Sequence, residues 1–293
     1  MRRIVLLAAV PAAILLSCSR EDGALFVAVL PAGESGPRSG RLISFSAGDE
    51  DTRDVTSGIA LSSFGVFAVG SSSGDEVMYD QMVRRGKQGY TYSPPKYFPE
   101  EGLDFMAYAP YGSSSVSFQE GAGLVTDFDI SLPESLSEDV LLAGPLRGVR
   151  SSPVLLSFIH PLTSISVEFA FSPHSILIPA GKGARVTSLS LSHCIREGSY
   201  DAESGTWTSK GEFCPAGRSV SALAQGRNPV NVGALYSIPF TAPSGTMLEI
   251  DWEAFNLDSG AAIGSYSIAV DLSGRDFAAS TNITVRAGAM WYD

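Results

Sequence analysis

The dominant pattern along the chain is an alternation of apolar and polar positions with a period of two residues. The clearest example is residues 163–169, where Ile165, Val167 and Phe169 alternate with serine or glutamate. Successive side chains of a strand point to opposite faces of its sheet, so this pattern predicts a half-buried β-strand. Ten further short runs have strand character. They are residues 42–46, 64–69, 103–109, 140–142, 154–158, 186–191, 235–238, 247–252, 266–270 and 282–285.

Turn-forming residues separate these runs, and no window has the period of a long amphipathic helix. Turns are predicted at residues 48–49, 71–74, 203–205 and 243–245. The chain also contains 30 glycines and 17 prolines, residue types that interrupt long helices. Many short strands with frequent turns predict an all-β protein built from β-sandwiches.

The predicted organisation is a leader, a tether and two β-sandwich domains. Residues 148–153 are polar and end in proline between two apolar strands, which predicts a domain boundary at residue 150. The N-terminal domain then covers residues 42–150 and the C-terminal domain residues 151–293. Residues 18–41 are rich in glycine and proline and are expected to form a tether. A short strand at residues 25–30 is the alternative for the apolar part of that tether.

Residues 1–17 predict the signal peptide of a lipoprotein. A basic start precedes the apolar run 4–16, whose 13 residues are fewer than the ~20 that a membrane-spanning helix needs. The run ends in Leu-Leu-Ser-Cys, which places Cys18 where bacterial lipoprotein processing attaches lipid. The alternative is an ordinary signal peptide followed by a coincidental cysteine.

The residues that follow Cys18 indicate the cellular location of the protein. The sequence Ser-Arg-Glu-Asp-Gly at residues 19–23 resembles an export signal for the outer face of the Gram-negative outer membrane, and a plain solvated tether is the alternative. Several acyl chains on Cys18 suffice for stable anchoring. We therefore predict a surface-exposed protein of the cell outer membrane.

The net charge and the cysteine content indicate which partners and which membrane attachment to expect. The net charge is -11, and the only basic patch is residues 84–87, which argues against a nucleic-acid partner. No later segment has 18 consecutive apolar residues, so lipid is the predicted membrane attachment. The two remaining cysteines are Cys194 and Cys214. Their spacing leaves a disulfide or two buried thiols as alternatives.

Residue types suited to catalysis or metal binding are sparse. His160, His174 and His193 are the only histidines, and His160 stands at the head of a predicted strand, where packing is expected. We expect no Gly-x-Ser-x-Gly nucleophile motif, no His-Glu-x-x-His motif and no phosphate-binding loop. Asp127 and Asp129 share one face of an extended segment, with Ca²⁺ binding as the alternative to plain solvation. We predict no enzyme, no cofactor and no metal.

A cluster of aromatic residues suggests a binding surface. Its members are Tyr90, Tyr92, Tyr97, Phe98, Tyr108 and Tyr111. Exposed aromatic rings stack on carbohydrate or protein ligands, whereas buried rings fill a core. Tyr90 and Tyr92 are the candidate members of a ligand platform, and core packing is the alternative.

Four segments between residues 43 and 167 form a recognisable series. They are Ile-Ser-Phe-Ser-Ala at 43–47 with Asp-Thr-Arg at 51–53, Leu-Ser-Ser-Phe-Gly-Val-Phe-Ala at 61–68, the aromatic and proline-rich 90–99 with Leu-Asp-Phe-Met-Ala-Tyr-Ala-Pro-Tyr at 103–111, and Asp-Val-Leu-Leu-Ala at 139–143 with residues 156–167. In order and spacing they resemble the fimbrillin-like lipoproteins, the major and minor fimbrial subunits of Gram-negative gut and oral anaerobes. From residue 185 onward the resemblance is architectural only.

The resemblance implies a fold and a mode of assembly. The implied fold is two transthyretin-like β-sandwich domains in tandem. The implied assembly is strand exchange, in which a surface protease cuts after an arginine near the N-terminus and the vacated groove accepts a strand of another subunit. Arg53 is the candidate cleavage site, with Arg41 and Arg38 as alternatives. A family member that is never cut is the other alternative.

The functional hypothesis is a fimbrial structural subunit or a tip or accessory adhesin, located in the fimbrium if it is processed. Its expected partners are other fimbrial subunits, the outer membrane through lipid on Cys18, and a host receptor or glycan. Stalk subunits are expected to carry extra C-terminal residues, so an end at Asp293 favours a tip, accessory or non-polymerising member. The alternative is a non-polymerising surface lipoprotein that binds host or dietary glycan or protein.

Overall fold

The all-β prediction is confirmed by the computed structural model. It describes residues 41–49, 61–119, 121–171, 181–225 and 228–289. Every regular element in these residues is a strand. None of the described residues forms a helix of the length and hydropathy that crossing a membrane requires.

The described residues contain twenty strands. In chain order they are β1 (Phe45–Asp49), β2 (Ser63–Gly70), β3 (Glu76–Gly86), β4 (Gly89–Thr91), β5 (Leu103–Ala109), β6 (Val116–Ser117), β7 (Asp127–Ser131), β8 (Leu141–Val149), β9 (Val154–Ile159), β10 (Thr163–Phe171), β11 (Lys182–Cys194), β12 (Glu197–Asp201), β13 (Thr206–Lys210), β14 (Cys214–Ala224), β15 (Val230–Ser237), β16 (Phe240–Thr241), β17 (Met247–Asn256), β18 (Ala262–Asp271), β19 (Asp276–Phe277) and β20 (Asn282–Ala289).

Each predicted run overlaps one of these strands, and residues 103–109 match β5 at both ends. One predicted turn is wrong. Residues 48–49 continue β1, because that strand keeps its pairing with β9 as far as Asp49 opposite Phe158. Nine of the described strands overlap no predicted run, namely β3, β4, β6, β7, β12, β13, β14, β16 and β19. The two longest of these, β3 and β14, have side chains that are mostly half-buried or exposed and do not alternate cleanly.

The first sheet has seven strands in the order β1-β9-β8-β5-β2-β3-β4. The pair β1/β9 is parallel, and the other neighbours are antiparallel. The sheet curls on itself, because the rings of Phe64 in β2 and Phe158 in β9 lie 5.5 Å apart although β5 and β8 separate their strands. One face of this sheet therefore encloses a hydrophobic core. We call it the first core, and its largest side chains include Ile43, Phe45, Phe64, Phe98, Phe105 and Phe158.

The other face of the same sheet is covered as well. Phe67 and Tyr108 point away from the first core and contact Phe128 of β7, with centroid distances of 6.3 and 6.4 Å. Strand β7 belongs to a four-stranded sheet in the order β13-β12-β7-β6. Because both of its faces are covered, β5 is buried along its whole length.

The remaining large sheets face each other across a second core. One has the order β15-β10-β20 and the other β14-β11-β17-β18. Apolar side chains of both sheets meet there, with Phe169 of β10 lying 5.7 Å from Trp252 of β17. The alternating residues of β10 behave as its pattern predicts, since Ile165, Val167 and Phe169 are fully buried.

The predicted boundary at residue 150 falls between two paired strands. Strand β9 follows that residue, yet it pairs with β8 and β1 in the first sheet. The polar residues 148–153 thus form the end of β8 and the turn into β9. Strand β7 also crosses the boundary by pairing with β12, residue Phe128 opposite Tyr200. The count of two tandem domains stays a prediction.

Candidate functional site: the N-terminal strand and its groove

The first described segment, residues 41–49, is held along one side by β9. The register sets Phe45 opposite Val154 and ends with Asp49 opposite Phe158. The Val154 amide donates to the Ser44 carbonyl at 2.7 Å, so pairing begins just before β1. Among the strands that the structure describes, β1 stands at one edge of this sheet.

The beginning of the same segment pairs with residues that follow β4. The Ile43 amide donates to the Lys96 carbonyl at 3.0 Å, and the Phe98 amide donates to the Arg41 carbonyl at 2.9 Å. Leu42 and Tyr97 form the isolated antiparallel bridge between them. Residues 41–49 therefore close the curled sheet, because they bond to β9 and also to the residues that follow β4, the last strand at the other edge.

Two side-chain hydroxyls fix the same backbone. The Ser152 hydroxyl donates to the Leu42 carbonyl at 2.6 Å and accepts from the Ser44 amide at 2.9 Å. The Tyr92 hydroxyl donates to the Ile43 carbonyl at 2.8 Å. Both contacts join residues far apart in the chain, so they hold the segment in its groove rather than shaping a local turn.

The inward side chains of the segment complete the first core. Ile43 is 1% exposed and Phe45 is 6% exposed. The Phe45 ring meets three other rings edge-on, those of Phe64 and Phe105 at 6.0 Å and that of Tyr92 at 5.6 Å. Edge-to-face aromatic contacts stabilise a core beyond the area they bury. We call the cleft that receives Ile43 and Phe45, bounded by β9 and residues 96–98, the strand groove.

The two tyrosines predicted as a ligand platform lie at this groove. Tyr90 and Tyr92 are half-buried, and their hydroxyls donate to the carbonyls of Leu61 and Ile43. Burial raises the pKa of both phenols. The Tyr90 ring packs against Phe64 at 5.0 Å. Both rings thus pack in the first core, and ligand binding at them stays a prediction.

The other predicted site residues fall at the edge of this region or outside it. Arg41 is exposed, and its carbonyl takes part in the closing bonds, so the last residue of the predicted tether belongs to the fold. Cys18, Arg38 and Arg53 lie outside the described residues. The sequence alone did not identify Ser152, Lys96 or Phe98 as parts of the site, because their contacts depend on the closure of the sheet.

Polar groups elsewhere make structural contacts. His160 Nδ1 lies 2.6 Å from Asp139 Oδ2, at the junction of β9 and β10. Asp129 accepts a hydrogen bond from Ser199 on the paired strand β12 at 2.6 Å. No group of three or more acidic, histidine or cysteine side chains suited to a metal ion occurs in the part of the chain that the structure describes.

The expectation of no Gly-x-Ser-x-Gly motif is wrong, because Gly-Ser-Ser-Ser-Gly at residues 70–74 has that form, which is the form of hydrolase nucleophiles. The motif begins at Gly70, the buried last residue of β2, and its other residues form the turn toward β3. A nucleophile elbow requires a strand followed by a helix, whereas this turn joins two strands. Glu101 binds the backbone amides of Ser72 and Ser73 and thereby shapes the turn.

Comparison with known proteins identifies a family and similar structures for this chain. A family model described as fimbrillin-like matches residues 52–287. A fimbrial protein of Bacteroides vulgatus has a similar structure, with a TM-score of 0.52 and 15% identity over 84% of this chain and 95% of its own.

A second similar structure comes from a Bacteroides ovatus protein named for cell adhesion, with a TM-score of 0.52 and 15% identity over 84% of this chain and 93% of its own. At such identities the likeness concerns the fold. No curated protein matches the chain. Since the family model covers most of the sequence, the chain belongs to the fimbrillin-like family.

Proposed function

We propose that this protein is a fimbrial subunit or a tip or accessory adhesin of the cell surface, delivered as a lipoprotein through Cys18 and joined to other subunits by exchange of its N-terminal strand. Membership of the fimbrillin-like family supports the fimbrial or adhesive role and a surface location. One observation carries the exchange step. Residues 41–49 cover the first core, and they pair with β9 on one side and with residues 96–98 on the other.

The groove has what an incoming strand needs. Without residues 41–49, the Val154 amide, the Lys96 carbonyl and the Phe98 amide would lose their partners. The pockets of Ile43 and Phe45 would open to water at the same time. Unpaired strand edges beside an apolar slot bind an extended segment by adding it to the sheet, with side-chain pockets giving specificity.

The position of the strand distinguishes the candidate cleavage sites. A cut after Arg53 separates the whole of β1 from the rest of the fold, since β1 ends at Asp49. A cut after Arg38 or Arg41 leaves residues 42–49 attached to the domain and the groove filled. The exchange proposal therefore favours Arg53.

The test treats purified protein with a trypsin-like protease and then adds a labelled peptide of residues 41–53. We expect the cut chain to lose its own strand and bind the peptide, and the uncut chain to bind none. Fluorescence anisotropy measures binding, and gel electrophoresis without boiling detects ladders of joined subunits. The matched variants are Arg53→Ala, which should block the response, and Arg41→Ala, which should leave it intact.

A second peptide controls for nonspecific binding. It carries Asp in place of Ile43 and Phe45 and should not bind, because charged side chains cannot enter the first core without partners. The exchange proposal is wrong if the chain cut after Arg53 keeps residues 41–53 bound through competition with excess peptide, or if both peptides bind equally. Retention of the uncut protein on a glycan array, with no exchange, would favour the non-polymerising lipoprotein.

A further inference from the structure

Cys194 and Cys214 lie directly opposite each other on paired strands. They end β11 and begin β14, which run antiparallel, and the register sets one cysteine against the other. Opposed residues of antiparallel strands have Cα atoms about 4.5–5.5 Å apart, a spacing that lies within the range of disulfides. The Cys194 sulfur is 3.2 Å from the Cys214 carbonyl oxygen, and the Cys214 sulfur is 3.7 Å from the Cys194 carbonyl oxygen.

An irregularity in the strand pair creates this match. Leu191 lies opposite Ala216, so a regular ladder would set His193 against Cys214. The register shifts after Leu191, which moves Cys194 into the opposed position. Pro215 lies in the shifted stretch, and a proline has no amide with which to continue the ladder.

The two sulfurs differ in their surroundings. Cys194 is fully buried, and burial together with the neighbouring Cys214 raises the pKa of its thiol. Cys214 is half-exposed, and the Arg196 guanidinium donates from Nε to its sulfur at 3.3 Å. Thiol–disulfide exchange requires that the oxidant can reach the attacking sulfur. Cys214 is therefore the sulfur that an external oxidant reaches first.

We propose that Cys194 and Cys214 form an intrachain disulfide when the protein meets a disulfide oxidant outside the cytoplasm. The Cys214 thiolate attacks one sulfur of the oxidant RSSR, which releases one thiolate RS⁻ and leaves Cys214–S–S–R. The Cys194 thiol then loses its proton and attacks the Cys214 sulfur, releasing the second RS⁻. The protein loses two hydrogen atoms, and the oxidant is reduced to two thiols RSH.

The disulfide would join the two ends of a long segment between β11 and β14. Residues 195–213 leave β11, form the hairpin β12–β13 and return to β14. That hairpin pairs with β7 of the first half of the chain. Closing a loop of about 20 residues restricts the unfolded chain, so we expect the thermal midpoint of the oxidised protein to exceed that of the reduced protein by about 5–10 °C.

The test uses the full chain with Cys18→Ser, in which only these two cysteines remain. One sample is reduced with dithiothreitol and another is oxidised with glutathione disulfide, and free thiols are then alkylated. Trypsin without reduction should release peptides 186–196 and 211–218 as one linked species from the oxidised sample and as separate alkylated peptides from the reduced one. Calorimetry measures the thermal midpoint of each sample.

Two variants assign the roles of the sulfurs. Cys194→Ala should trap glutathione on Cys214 and lose the rise in thermal midpoint on oxidation. Cys214→Ser should lose the same rise and leave the buried Cys194 slow to react. The proposal is overturned if oxidised protein gives separate peptides, if the linkage joins two chains only, or if the midpoint rises equally in both variants. None of these results depends on cleavage at Arg53, so strand exchange is tested separately.

Discussion

Single polar side chains join strands of the first sheet at places where an apolar residue could not. The Tyr108 hydroxyl donates to Asp80 Oδ1 at 2.8 Å, and burial raises the pKa of that carboxyl although the hydrogen bond opposes the rise. The Tyr108 ring lies over Gly65, where an added Cβ would collide with ring carbon Cε1. Gly65 therefore provides the space that Tyr108 needs to reach Asp80 across the sheet.

Asp104 is a buried carboxylate with several donors. Oδ1 accepts from the Ser71 hydroxyl at 2.6 Å and from the Gly148 amide at 2.8 Å, and Oδ2 accepts from Arg147 at 3.0 Å. Burial by itself would raise the pKa of Asp104, but these hydrogen bonds outweigh it and hold the pKa below its usual value. A carboxyl with a lowered folded-state pKa stabilises the protein above its unfolded pKa of ~3.9 and loses that contribution as the pH falls through the folded value.

We expect Asp104→Asn to lower the free energy of unfolding by about 1.5–3 kcal/mol at pH 7, since the lost bonds are charge-assisted. The difference from wild type should shrink as the pH falls below ~4, because the unfolded chain then binds a proton at this carboxyl before the folded chain does, and the shrinkage continues to the lowered folded-state pKa. Urea denaturation across pH 3–7 measures both effects. Asp75→Asn, in an exposed turn, is the matched control. A gap that is constant over this range would contradict the role assigned to the Asp104 charge.

At the scale of the element, β1 lies at a sheet edge but contributes a buried side chain to the first core. It has five residues, and within the described part of the chain it stands at the edge of its sheet, where a strand has hydrogen-bond partners on one side only. Its residue Phe45 and the preceding Ile43 nevertheless fill the first core, and residues 41–43 bond to residues 96–98, which follow β4. Its stability thus depends on burial rather than on strand length.

Phe45→Ala should therefore destabilise the protein by about 3–5 kcal/mol, the usual cost of removing a buried phenylalanine. Ser46→Ala, on the exposed face of the same strand, should change stability by less than about 0.5 kcal/mol. Chemical denaturation measures both values, and hydrogen exchange shows whether residues 43–49 open first. Equal effects of the two substitutions would mean that Phe45 does not seal the core.

The strands also show what a sequence pattern can and cannot predict. Strand β5 was predicted at both ends, because both of its faces are buried and its apolar run is continuous. Strand β10 was predicted because fully buried apolar residues alternate with polar residues along it. In contrast β3 and β14 have mixed faces, so their pairing with β2 and β11 rather than their own composition makes them strands.

At the scale of the whole molecule, the two halves of the sequence are joined by shared elements. All described residues belong to one compact unit. Strand β9 completes a sheet begun before residue 150, and β7 pairs with β12 beyond it. The Arg147 side chain also bonds to both Asp104 and Glu203. These contacts imply that the first half depends on the second.

We expect a fragment of residues 42–150 to lack cooperative unfolding. It would lose β9, which pairs with β1 and β8. It would also lose β12, whose Tyr200 lies opposite Phe128 of β7. Circular dichroism during thermal denaturation checks this, with the full chain as the control. A cooperative transition in the fragment would instead support an independent N-terminal domain with its boundary at residue 150.

The sequence by itself determined the strand class, the approximate position of most strands and the motifs of the family, because these features depend on neighbouring residues. It also predicted a lipoprotein leader, which lies outside the described residues. Tertiary structure alone decided that residues 41–49 close the sheet at both ends and that Cys194 faces Cys214. Both facts depend on strand pairing between distant residues, and register is set by bulges and by closure of the core rather than by local sequence.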